Sequence, residues 1–362
     1  MISSATVVGG GVAGLAMARG LQRLGCAVTV VERAVAPRRD GAGLTLWPNG
    51  LRALDTLDLG DAVRAIGEPV RRAVVLRSDG RELTELPIRA LTDRHGPLFA
   101  VVRHQLMLTL ADGLLNPVRY GVEVTASDGE LLVDGDRPAT ELVIGADGID
   151  STVRTAFLGE VRPRSSGQFA ARGVARTGES TPLMISESWG RGLRFGMVGL
   201  QHGLTYWFAA TTTMAAAENL RDTFAGWHAP IDDVLAAPQL GVVPVLPLLD
   251  LPRLRAWHDG RSVVLVGDAA HAMTPNLGQG AAQALEDVAA LLAELQRLPV
   301  PEALIAYERR RKRPAERMVT RSRWVGTLAQ GSHPALAMLR DGLAPLAPQP
   351  LMAQQLSAML RG

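Results

Sequence analysis

The chain has 362 residues, 47% of them apolar, with 38 Lys plus Arg against 36 Asp plus Glu. That length supports two domains around a large core, and a formal charge of +2 gives nucleic acid or an acidic surface no general hold. The single cysteine, Cys26, excludes an internal disulfide and fits a reducing cytoplasm, and no apolar run is long enough to span a membrane.

Ala5-Thr6-Val7-Val8 predicts a first strand. Gly9-Gly10-Gly11-Val12-Ala13-Gly14 then spells GxGxxG ahead of a helix over Leu15–Leu24. A second strand follows over Ala27–Val31 and closes with Glu32. GxGxxG alone says little. Set between strand and helix, with an acid 18 residues past the last glycine, it is the dinucleotide fingerprint. The glycines let backbone approach a pyrophosphate, and Glu32 accepts hydrogen bonds from an adenosine ribose. Cys26 reads as a small core residue.

The loop from Pro37 to Gly43 carries Arg38 and Arg39, read as solvated in preference to holding a nicotinamide phosphate. Leu44–Gly50 leads into a helix over Leu51–Leu57. Val70–Leu86 reads as a hairpin turning at Asp79-Gly80. Arg103 stands at the start of a helix running through Leu115. Gly121–Ala126 and Glu130–Val133 predict strands, and Leu142–Ile144 a buried strand ended by Gly145-Ala146-Asp147-Gly148, with Ser151 and Arg154 beyond.

From Arg162 to Leu254 the pattern becomes short alternating strands, with a helical piece around Ala215–Trp227. Leu193–Leu200 and Leu204–Phe208 flank Gln201-His202-Gly203, a three-residue loop whose Gly203 suits a left-handed last position. Pairing Leu200 with Leu204 places Arg194, Gly196, Val198, Tyr206 and Phe208 on one face, with Arg194 and Tyr206 ~13 Å apart. Two long side chains at that separation can bracket a small planar ligand. No acid falls on that face of the hairpin, so Arg194 is expected to find its partner in a substrate or cofactor edge.

Ser262–Val288 is the most informative stretch. Val263–Val266 predicts a buried strand, Gly267-Asp268 presents a carboxylate at its end, and Pro275, Gly278 and Gly280 forbid regular structure before a helix from Ala281. The free amides and positive dipole end of that helix form an anion site. His271 reads as a structural hydrogen bonder. Beyond it, Pro301–Arg313 is expected to be a basic helix interrupted at Pro314, with the run Arg309–Arg313 solvated. Ala335–Leu360 predicts helical segments that pack on the core or on a second subunit.

Gly9–Gly14, Gly145–Gly148 and the string GDAAHAMTPNLGQGAAQALED from Gly267 to Asp287 together resemble the single-component FAD-dependent aromatic hydroxylases, the class A flavoprotein monooxygenases. The resemblance spans roughly Val7 to Arg313 and implies an α/β fold. Its doubly wound, Rossmann-like FAD-binding domain would comprise 1–70, 101–160 and 262–325, its inserted antiparallel-sheet substrate domain 71–100 and 161–261, and its C-terminal helical segment 326–362. The same resemblance implies non-covalent FAD, held by Gly9, Gly11, Val12, Ala13, Gly14, Glu32, Arg33, Gly43, Arg103, Val124, Asp147, Asp268, Gly278, Gln279, Gly280 and Ala281, with Trp47 at the flavin edge. It implies NADH or NADPH as a transient electron donor, O2 and a small aromatic or heteroaromatic molecule as the other reactants, and transfer of oxygen from a flavin C4a-hydroperoxide. Arg194, Tyr206, Pro275 and Asn276 are the expected catalytic set, on a cytoplasmic monomer or homodimer.

The Arg194–Tyr206 spacing is similar to the FAD-dependent urate hydroxylases, which have an Asp where this chain has Asn276. Pro275-Asn276 resembles the zeaxanthin epoxidases, which leaves epoxidation of an apolar or isoprenoid molecule as the alternative. A non-catalytic binding protein on the same fold is the other. No metal-ligand cluster, nucleophile elbow or triad offers chemistry of its own, so the cofactor must carry the reaction.

Overall fold

A computed structural model describes residues 2–37, 43–127, 129–178 and 184–361. Runs of β-branched residues decide the first sheet, because a strand buried on both faces needs apolar side chains on both. Five parallel strands line up in the order Val263–Leu265, Leu142–Gly145, Ser4–Val8, Ala27–Glu32 and Arg119–Tyr120. Helices Val12–Arg23 and Gly280–Leu295 lie against it and contribute Leu15, Met17, Leu21, Leu285, Leu291 and Leu292 to one core. Each such side chain stabilises the fold by about 1.5–3 kcal/mol when fully buried. Cys26 sits in this core; its thiol is pushed up to about 11, by burial first and by the Glu141 charge second.

The second sheet has seven strands, in the order Val245–Asp250, Arg164–Arg176, Leu204–Thr211, Arg194–Leu200, Ile185–Trp189, Ala73–Arg77 and Glu82–Glu85. The expected hairpin is present: Leu200 pairs with Leu204, and both His202 and Gly203 take positive φ. Alternation sorts its two faces. Phe195, Met197 and Trp207 point to an outer cluster with Phe224, Ile231 and Val234, while Val198 and Tyr206 meet Trp47 and Ala282 on the side of the parallel sheet. The hairpin at Asp79-Gly80 also forms, and its first strand runs parallel to Ile185–Trp189.

Several expectations need correction. The helix from Arg103 stops at Ala111, four residues short of Leu115, where Gly113 adopts φ +77°. Gly43–Leu46, Leu98–Val102 and Glu68–Val70 form a small sheet, where the sequence predicts only an approach to a helix after Leu44–Gly50. Helix Val300–Ala329 runs for 30 residues straight through Pro314. A helix-interior proline costs about 3 kcal/mol, and packing on both sides of it, by Leu304, Tyr307, Ala315 and Met318, offsets that. Nor is the basic run all solvated, since Arg311 is 3% exposed. It shares the inward stripe of Leu304, Tyr307, Ala315 and Met318, spaced three and four residues apart. Helices Pro334–Leu343 and Gln349–Leu360 close the chain. Among the described residues no helix is long and apolar enough to cross a membrane.

Candidate active site

The cleft opens at the carboxyl ends of the parallel strands. Ser4–Val8 is flanked there by Ala27–Glu32 on one side and Leu142–Gly145 on the other. Strand order reverses at this point, which is where open α/β sheets take ligands. The glycine turn is built by close approach. A Cβ at Gly14 would lie 1.9 Å from the Gly9 carbonyl oxygen, while one at Gly11 would meet nothing within 4 Å. Gly9 donates to Val31 O at 2.8 Å. Glu32 is fixed beside the turn by the amides of Gly10 at 2.8 Å and Ala34 at 2.9 Å. Next to it Val12 is half-buried, Ala13 buried and Arg33 exposed, and Val124 lies half-buried on a separate hairpin with Glu130–Val133.

Asp147 lies at the end of the strand Leu142–Gly145, ahead of the helix Thr152–Leu158. Its Oδ1 accepts from Ser151 Oγ at 2.5 Å and its Oδ2 from the Val153 amide at 3.1 Å, so both oxygens serve the start of helix Thr152–Leu158. Burial pushes its carboxyl upward against those hydrogen bonds. Arg154 donates from that helix to Ala269 O at 3.0 Å and thereby ties this turn to the Gly267-Asp268 segment.

Asp268 projects into the cleft and makes no hydrogen bond among the described residues. Although its side chain is open to the cleft, the surrounding protein desolvates it enough to raise its carboxyl, with His271, Arg103 and Arg172 pulling the other way. Beneath it His271 is bound to Asp287 at 2.5 Å, and Asp287 accepts from Arg311 Nε at 2.8 Å and from the Gly267 amide at 2.9 Å. The structural reading of His271 therefore holds. Arg311 also reaches Glu286 at 2.5 Å, and Asn49 bridges Glu286 at 2.7 Å to Gln279 at 3.0 Å.

The loop above this cluster is a single 3-10 turn, Pro275–Leu277, followed by Gly278 in the left-handed region and then the helix from Gly280. The first amides of that helix, including those of Gly280 and Ala281, have no acceptor within it. Trp47 packs beneath Gly278. Gln279 is buried and its Nε2 has no partner among the described residues.

From the antiparallel sheet, Arg194 reaches this loop. Its Nη2 donates to Asn276 Oδ1 at 2.5 Å, its Nη1 to Glu187 at 3.0 Å and its Nε to Gln330 at 3.3 Å. The expectation that Arg194 lacks a protein partner is overturned. Glu187 comes from the neighbouring strand, opposite Gly196, and no reading of the hairpin alone contains it. Asn276 is held further by Thr274 Oγ1 at 2.9 Å and Ser322 O at 3.0 Å, while Pro275 stands exposed beside it. Tyr206 lies elsewhere on the same face, packed on Gly43, where any added Cβ would come within 2.5 Å of it. Burial raises its phenol against the opposing charges of Arg172 and Arg103.

Arg172 was missed. It pairs in register with Phe208, faces the same way as Tyr206, and makes no hydrogen bond or ion pair among the described residues. Alternation in strand Arg164–Arg176, with Arg172 and Val174 on one face, was the signal for it. Arg38 and Arg39 lie outside the described residues.

These features fit FAD. Open space above Gly11 and Gly280, a fixed acid at Glu32, an unpartnered carboxylate at Asp268 and an unpartnered amide at Gln279 belong to one cleft. Replacing Glu32 with Ala is expected to weaken FAD at least tenfold, since a charge-assisted pair to ribose is worth roughly 1.5–3 kcal/mol. Equilibrium titration of the apoprotein checks this, and unchanged affinity would place the adenosine elsewhere.

A family model described as FAD binding domain matches residues 121–322, and one described as pyridine nucleotide-disulphide oxidoreductase matches residues 4–43. The chain is 34% identical to aurachin C monooxygenase/isomerase of Stigmatella aurantiaca, over 93% of this chain and 92% of that one. It is 37% identical to 2-heptyl-3-hydroxy-4(1H)-quinolone synthase of Pseudomonas aeruginosa, over 94% of each. It is similar also to the crystal structure of Klebsiella pneumoniae HpxO complexed with FAD and uric acid, with a TM-score of 0.89 and 25% identity over 99% of this chain and 96% of that one.

Proposed function

Since the chain belongs to the single-component FAD-dependent monooxygenases, we infer that it hydroxylates a fused heteroaromatic ring of the 4-quinolone type, with NADH or NADPH as electron donor and O2 as oxygen source. The observation that carries this reading is Asn276, a carboxamide locked by Arg194, Thr274 and Ser322. An amide takes up no proton at this place. The acceptor must then be nucleophilic without help, as a quinolone or phenol ring carbon is. The quinolone relative supports that class.

Bound FAD supplies electron transfer and oxygen activation. The residues divide the remaining work. Glu32 and the Gly9–Gly14 turn would hold the adenosine and pyrophosphate, Asp268 the ribitol, and the Gly280 and Ala281 amides an electron-rich ring edge, helped by the helix dipole. Trp47, Val198, Tyr206 and the antiparallel sheet keep water out of the space between. Arg172 and Tyr206 orient the substrate, with Arg194 acting on it through Asn276. This reading takes 71–100 and 161–261 as the substrate side and places the reaction in the cytoplasm.

The test is steady-state NADH and NADPH oxidation by the FAD-loaded protein across 4-quinolones, phenols, urate and isoprenoid alkenes, with product identified by mass. A substrate-stimulated rate with a ring-hydroxylated quinolone or phenol supports the reading. Coupled turnover of urate, or of an alkene to its epoxide, in its place would overturn it.

A further inference from the structure

Between Ser332 and Leu360 the only charged side chains are Arg340 and Asp341, and these pair with each other at 2.7 Å. Arg340 is buried, donating to Ala329 O, so this pair presents little charge to solvent. What the segment does present is apolar. Leu336, Met338, Leu339, Leu343 and Leu346 are each more than half exposed, as is Trp324 on the preceding helix. Leu336, Leu339 and Leu343 recur three and four residues apart and so form one stripe.

The long helix leading to this segment carries a second exposed stripe, Arg313, Arg317, Arg321, Trp324 and Leu328, at spacings of three and four. None of those three arginines has an ion-pair partner among the described residues. From Arg309 to Gly331 the only acid is Glu316, which turns to Arg253. Basic residues thus lead through a tryptophan into leucines along one helix and on into the next.

We propose that this surface, Arg313 to Leu346, docks on the face of a bilayer bearing anionic headgroups, with the arginines against the headgroups and the leucine stripe in the interface. Trp324 stands at the border, where an amphipathic ring is favoured. Charge decides between occupants. A second copy of the patch offers only Glu316 and Asp341, each already paired within its own chain, whereas an anionic headgroup layer meets the arginines with unpaired charge. The overall charge of +2 makes this a local asymmetry and not a general attraction.

Flotation of the full, FAD-loaded protein with vesicles tests it, comparing phosphatidylcholine alone with phosphatidylcholine containing phosphatidylglycerol. Binding to the anionic vesicles is expected to be roughly tenfold stronger or more, and to weaken with added salt. Changing Leu336, Leu339 and Leu343 together to Gln should abolish it, and so should the pair Arg317→Glu and Arg321→Glu. FAD content and melting temperature should stay as in the parent, because these side chains are exposed. No binding to either vesicle, or binding that survives the triple change, overturns the proposal. So does a solution dimer that the triple change converts to monomer while vesicles are ignored, which would make the surface a self-association face.

Discussion

Asp287→Ala is expected to destabilise the protein by about 3–5 kcal/mol, the range for removing one partner of a buried ion pair. The carboxylate is fully buried and holds His271, Arg311 and the Gly267 amide together. Its loss leaves the buried Arg311 guanidinium with Glu286 as its one carboxylate among the described residues, and frees the strand end that presents Asp268. Thermal unfolding should show a drop on the order of ten degrees, with FAD affinity reduced as well. Adding Arg311→Met together with Glu286→Gln should recover part of the stability, because no buried charge of the cluster is then left short of a partner. A single variant as stable as the parent would show that the cluster is not a structural tie.

The same group sets an acid limit. Burial alone would raise the Asp287 carboxyl, but the charges of His271 and Arg311 outweigh it and hold it below the ordinary 3.8. A carboxylate depressed in the fold contributes stability that is fully present above its unfolded value and is lost as pH falls through the folded one. The contribution should therefore hold across neutral pH and fail only below roughly pH 4. Urea titrations of parent and Asp287→Ala at stepped pH should converge in acid.

Arg194→Met is expected to raise substrate KM about tenfold and divert much of the NADH or NADPH consumed to H2O2. It removes one of the three bonds that hold Asn276 and leaves Glu187, among the described residues, with the Trp189 indole at 2.8 Å. The stability cost should be about 2–3 kcal/mol. That falls below the fully buried range because Glu187 keeps 22% of its side-chain exposure. Adding Glu187→Gln separates the two effects. It should restore the melting temperature while leaving the uncoupling in place. If stability and coupling return together, Arg194 matters only as a structural cross-link.

What could be read in advance was local. The residue pattern of the glycine turn, the acid closing the next strand, the Gly267-Asp268 turn and the Leu200–Leu204 hairpin can each be seen within one strand–turn–helix or strand–turn–strand unit. Each of these formed as its residue types require. What escaped depends on partners distant in the chain. Glu187 meets Arg194 only because a third strand takes its place opposite Gly196. Arg311 is internal because residues 24 positions away supply its acid. The continuity of the helix through Pro314 likewise follows from packing that a breaker rule does not see. Strand Leu98–Val102 escaped for the same reason, because it is fixed by Gly43–Leu46 and Glu68–Val70 on its two sides.

The order of the parallel sheet has a consequence for how the chain is made. Ser4–Val8 is its middle strand, yet one of its two neighbours begins at Leu142 and the outer strand beyond that at Val263. At bacterial or eukaryotic translation speeds, on the order of ten seconds separate synthesis of the first strand from that of its second neighbour. During that interval an apolar edge stands unpaired on the ribosome, with only Ala27–Glu32 beside it. The helix whose amides complete the cleft arrives later still, from Gly280. Flavin capture is therefore a late event in biosynthesis. Expression at reduced temperature, or with holding chaperones raised, should increase the yield of yellow protein more than added FAD alone.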